Sequence, residues 1–64
     1  MTAQEFREWR ERLGLSRTGA AEALGLGRNQ PQRYEDGQEI PLYVALACAA
    51  ISLGVPPYGK PRQQ

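Results

Sequence analysis

Ten consecutive residues near the C-terminal end, Leu42-Tyr43-Val44-Ala45-Leu46-Ala47-Cys48-Ala49-Ala50-Ile51, carry no charge and constrain this chain more than any other feature. Crossing a bilayer takes about 20 apolar residues, so the run is too short to be a membrane span. Pro41 suits the first position of a helix, where its missing N–H would be unpaired in any case. The pattern predicts a helix over residues 41–53 that is apolar nearly all round, and such a helix is buried on more than one side. A chain of 64 residues has little protein with which to surround it. Part of that surface is therefore expected to meet another chain, with Leu42, Tyr43, Leu46 and Ala50 as the contact residues.

The rest of the chain is divided by capping residues and glycines. Thr2 followed by Glu5 fits a capping box, and Met1 with Phe6 fits the hydrophobic staple around it. Phe6, Trp9, Arg10 and Leu13 then recur at spacings of three and four, marking the inner face of a first helix, with Glu5, Arg7, Glu8, Glu11 and Arg12 on the outer one. Gly14 closes it. Ser16 is an N-cap for a second helix over residues 17–24, with Ala20, Ala21 and Leu24 inward. Gly19 inside that helix reads as a defect of about 1 kcal/mol against Ala, and Gly25 ends it. The next segment, from Arg28 to Glu35, is polar apart from Pro31 and Tyr34, three apart and so on one face if helical. Residues 55–64, with three prolines and a glycine among them, read as a flexible Pro-rich tail. The expectation is an all-α domain of four short helices over residues 1–54.

Composition excludes most chemistry. There is no His and one Cys, so no His/Cys cluster can hold zinc, no His-activated nucleophile can form and no disulfide can close within the chain. Glu35, Asp36 and Glu39 do not have the spacing of a calcium loop. No enzyme activity, metal, cofactor or small-molecule substrate is expected. Nothing at the N-terminus has the pattern of a signal peptide. Cys48 suits a reducing compartment, and a cytoplasmic location is expected.

The net charge of +1 is an average over two unlike halves. Residues 1–34 hold six Arg against four Glu, residues 35–55 hold only Glu35, Asp36 and Glu39, and the tail adds Lys60 and Arg62. Two short helices joined by a tight Gly turn, the second one polar, form the pattern of a helix-turn-helix. Three stretches sharpen it: Trp9-Arg10-Glu11-Arg12-Leu13-Gly14-Leu15-Ser16, then Ala20-Ala21-Glu22-Ala23-Leu24-Gly25-Leu26, then Gln32-Arg33-Tyr34-Glu35-Asp36-Gly37. In their order and spacing the sequence resembles the Xre/Cro family of lambda-repressor-like DNA-binding domains, over about residues 4–53.

The resemblance implies an all-helical domain whose third helix enters the major groove of double-stranded DNA. It implies Arg28, Asn29, Gln32 and Arg33 as base readers, in keeping with Arg on guanine and Asn or Gln on adenine. It places Arg17, at the start of the second helix, on a backbone phosphate. It also implies that Arg10 and Glu35 form a partly buried structural ion pair. Three residues depart from the family pattern: Gly19, Gly27 at the usual cap of the third helix, and Pro31 at an inward position. Pro31 disfavours an early helix start. The third helix is therefore expected to begin late, capped by Asn29, with that side chain engaged by its own backbone. Gln32 and Arg33 are then the stronger readers, and Arg28 moves toward a phosphate.

Two functions follow as expectations. One is a sequence-specific repressor or autoregulator, dimeric on an inverted repeat with half-sites about 34 Å apart. The other is an antitoxin-like or adaptor module that uses the same fold to bind a protein.

Overall fold

Helix α1 (Ala3–Arg12) begins at the capping box expected of it, in a computed structural model that describes residues 1–59. Thr2 Oγ1 accepts the Glu5 N–H at 3.0 Å, and Glu5 Oε1 accepts the Thr2 N–H at 2.7 Å. Both bonds satisfy amides that a helix start leaves without partners. Phe6 and Trp9 are buried and Arg10 is half-buried. Leu13, expected on the same inner face, instead occupies the C-cap and stays exposed, because the helix stops one residue before it.

Helix α2 (Arg17–Leu24) is capped by Ser16, whose Oγ accepts the Gly19 N–H at 3.0 Å. A Cβ on Gly19 would lie 3.3 Å from that Oγ and 3.6 Å from Leu15 Cδ2. Alanine there would require Ser16 to give by a few tenths of an ångström, a cost that runs against the propensity defect read from the sequence. Gly25 turns the chain at φ 70°, a conformation costly for any residue with a Cβ. The Leu26 N–H then returns to the Ala21 carbonyl at 2.8 Å, giving the two-bond helix ending in which a glycine is favoured.

Helix α3 (Gln30–Glu35) is six residues long, and α4 (Leu42–Ser52) is eleven. No strand occurs among the described residues. Pro41 is the N-cap of α4, with an extended backbone at ψ 155°, not its first helical residue. Helix α3 packs on α1 and α2, and α2 also packs on α4. Phe6, Trp9, Ala20, Tyr34, Ile40, Val44 and Cys48 form the core, with Leu15, Leu24, Leu26 and Ile51 packed around it. The Phe6 ring lies 5.6 Å from both Trp9 and Tyr34, edge-on to the latter.

Helix α4 is not buried all round. Val44 and Cys48, four apart, face the core, whereas Leu42, Tyr43 and Leu46 are 74%, 69% and 60% exposed. Ala50 is half-buried, and its carbonyl accepts the Val55 N–H at 2.9 Å. Cys48 packs as a small apolar residue, and burial pushes its thiol pKa up to about 11, which keeps it a poor nucleophile. Among the described residues no helix is long and apolar enough to cross a membrane. Residues 55–59 form neither helix nor strand, and Pro57 borders a shallow groove with residues 21–26. The rest of the expected tail, residues 60–64, lies outside the described residues.

One bond ties α1 to α4: the buried Trp9 indole N–H donates to the Cys48 carbonyl at 3.0 Å. Trp9→Phe keeps an aromatic ring but removes the donor. It is expected to cost about 1–3 kcal/mol in urea denaturation, from the lost bond and the unfilled space.

Candidate nucleic-acid interface

The polar segment after Gly25 becomes a turn followed by a helix. The Gln30 N–H donates to the Gly27 carbonyl at 3.0 Å, which holds Arg28 and Asn29 in a tight turn ahead of α3. The helix thus starts late, as Pro31 requires, with the proline at its second residue. An N–H there has no intrahelical acceptor, so the pyrrolidine ring removes nothing the helix uses.

Asn29 stands at the N-cap, but its side chain does not cap. Its backbone is already helical (φ −92°, ψ −1°), and no side-chain cap bond forms. A capping side chain requires an extended backbone at that position, as at Thr2 and Ser16. The expectation that Asn29 is engaged by its own backbone is therefore corrected. The amide is not consumed by the helix start.

Pro31 and Tyr34 are buried, while Arg28, Asn29, Gln32 and Arg33 are all exposed. Burial, and then the neighbouring Tyr43, raises the Tyr34 phenol above its ordinary pKa, which leaves it a neutral core residue. Short as it is, α3 thus has a fixed inner face and an outer face of amides and guanidinium groups.

All ion pairs among the described residues converge on Glu35, at the C-terminal end of α3. Its side chain is only 2% exposed. Arg10 meets it side-on, Nε to Oε2 at 2.8 Å and Nη2 to Oε1 at 3.4 Å, and Arg10 Nη1 donates to the Leu15 carbonyl at 3.0 Å. Arg7 Nε and Arg17 Nε each lie 3.4 Å from the same oxygen, Oε1. Burial by itself would raise the Glu35 pKa, but the Arg10 hydrogen bonds and charge, followed by Arg17 and Arg7, bring it below the ordinary carboxylate value. Arg17, expected on a phosphate, is thus also near a carboxylate, with 46% of its side chain exposed.

Arg7 was not among the site residues read from the sequence. Its spacing of three from Arg10 was the available signal, since residues three apart share a helix face. Asp36 and Glu39 are exposed, and no group of acidic, Cys or His residues among those described is arranged to hold a metal ion.

A capped helix, a glycine turn and a second helix with a buried inner and polar outer face define a helix-turn-helix protein. Over residues 3–58 the sequence matches the family described as "Helix-turn-helix domain". The chain belongs to that family, in its Xre and lambda-repressor-like branch, whose domains are those of DNA-binding regulators. No curated protein and no solved structure matches it.

The Glu35 cluster is expected to contribute to stability against acid. A carboxylate whose pKa is lower folded than unfolded contributes stability above its unfolded pKa, near 4.5. That contribution is lost as pH falls through the lower folded value. Glu35→Gln is expected to cost roughly 3–5 kcal/mol at pH 7, because it leaves Arg10 half-buried without its anion. The loss should shrink as pH falls below 4. Denaturant titrations of both proteins from pH 7 to pH 2 measure it, and a constant difference would mean that Glu35 is not the titrating group.

Proposed function

We propose that this protein is a sequence-specific DNA-binding repressor or autoregulator of the cytoplasm, which acts as a dimer on an inverted repeat and blocks a promoter by occupying it. The observation that carries the reading is the outer surface of the turn and α3. Arg28, Asn29, Gln32 and Arg33 are all exposed there, over an inner face fixed by Pro31 and Tyr34. These side chains have the donors and acceptors that read base edges in the major groove. Gln32 and Arg33 are the principal readers. Arg28 and Asn29, in the turn, are placed for the first base or its phosphate, and Arg17 for the backbone.

The exposed apolar side chains of α4 support the dimer. Leu42, Tyr43 and Leu46 would be shielded by a second copy, with Ala50 at the edge of the contact. A six-residue reading helix spans few base pairs, and pairing two of them adds affinity through effective concentration.

Selection from random DNA with the purified protein tests the reading directly. An inverted repeat with half-site centres about 34 Å apart is expected. Arg33→Ala should weaken binding to the selected site by about 1–3 kcal/mol and relax preference at one base pair per half-site. Recovery of no preferred sequence would refute the repressor reading and favour an antitoxin-like or adaptor module, for which Arg33→Ala has no effect. Leu46→Glu should leave the fold intact by circular dichroism, convert dimer to monomer in sedimentation and lower operator affinity. A monomeric wild-type protein at operator-saturating concentrations would remove the dimer from the proposal.

A further inference from the structure

The ion cluster at Glu35 is unbalanced, since three guanidinium groups surround one carboxylate. Arg10 accounts for that carboxylate: it meets both oxygens, and its own side chain is only 13% exposed. Arg7 and Arg17 gather at Oε1 in addition, each through Nε, and are 53% and 46% exposed. Among the described residues neither has a second partner. Glu8 and Glu11 border the groove beside Arg7, but Glu8 accepts from Gln4 Nε2 at 3.2 Å and neither carboxylate pairs with Arg7. Two like charges from different elements are thus held side by side, with one shared counter-charge that a third arginine already occupies. Such a pair is suited to a second anion arriving from solvent, and a guanidinium fork fits the oxygens of a phosphate.

We infer that Arg7 and Arg17 together hold one backbone phosphate of the bound DNA, with Glu35 as the positioning residue that orients both. The inference rests on the DNA-binding reading above and adds to it a residue of α1 and a shared anion. Arg17 opens α2, which packs against the reading helix. A phosphate at this pair would set the height and register of α3 in the groove and carry no sequence information of its own.

The test measures binding to the selected duplex and to a scrambled one across a salt series, for wild type, Arg7→Gln, Arg7→Lys, Arg17→Gln, the Arg7→Gln/Arg17→Gln double variant and Arg12→Gln, with thermal melting to verify folding. Arg12 is the control, an α1 arginine that lines the groove toward α4 instead. Arg7→Gln should weaken binding to both duplexes by the same factor, roughly threefold to tenfold, and Arg7→Lys should recover part of it. Because both arginines serve one phosphate, the double variant should lose less than the product of the single losses. Its slope of log K against log salt should flatten by about 0.9, the value for one phosphate.

Wild-type affinity from Arg7→Gln would overturn the inference and leave the DNA reading standing. So would an equal loss from Arg12→Gln, which would reduce the effect to net charge. A flattening near 1.8 in the double variant, meaning two separate phosphates, would overturn the sharing. A wild-type protein that binds neither duplex would instead refute the DNA reading itself, and this inference with it.

Discussion

The buried carboxylate of Glu35 is the interaction on which the relative placement of α1, α2 and α3 depends. Removing a carboxylate from water costs several kcal/mol unless its oxygens are met by charge-assisted hydrogen bonds. The packing of α1 and α2 against α3 supplies them. The Arg10 fork comes from α1, Arg7 from one turn earlier, and Arg17 from the first residue of α2. Arg10 also reaches the Leu15 carbonyl, which fixes the loop between α1 and α2. A six-residue helix has no appreciable stability alone. The orientation of α3 is set from outside, by Pro31 and Tyr34 in the core and by Glu35 at its end. The outer face of α3 is aimed by the same contacts.

What could be read in advance divides by range. Features encoded within four or five residues were legible: the Thr2–Glu5 box, the Ser16 cap, the Gly25 turn and the late start that Pro31 imposes on α3. Features that depend on where an element stops by one residue were not. Leu13 falls just past α1 and Pro41 just before α4, and each changes role by that single step. Asn29 shows a subtler limit. Its residue type and position both suit a cap, but the Gly27–Gln30 turn had already given its backbone a helical conformation. The convergence of Arg7 and Arg17 on one oxygen could not be read locally at all. It joins residues 7, 17 and 35, and only the packed helices bring them together.

Helix α4 is apolar nearly all round in sequence, and so short a chain is expected to leave part of that surface uncovered. The fold uses one stripe, Val44 and Cys48, with Ile51 packed beside it and the Trp9 indole bonded to its backbone. The opposite stripe of Leu42, Tyr43 and Leu46 contributes little to the protein's own core. Its apolar character is therefore not required by the folding of one chain, and polar residues there would leave the core contacts in place.

Two limits of size then bear on the same point. With its start set late by Pro31, α3 has only six residues, and in the proposed role it would reach few base edges. Under that proposal, specific affinity would have to be gathered from elsewhere, either from backbone phosphates or from a second reading head. Phosphates raise affinity for every sequence alike, so they cannot by themselves supply discrimination. A second copy doubles the number of bases read and fixes their spacing. The clustered arginines suit the first need and the uncovered stripe of α4 the second. On this reading the surface that the fold leaves unburied is what allows so short a recognition helix to be selective.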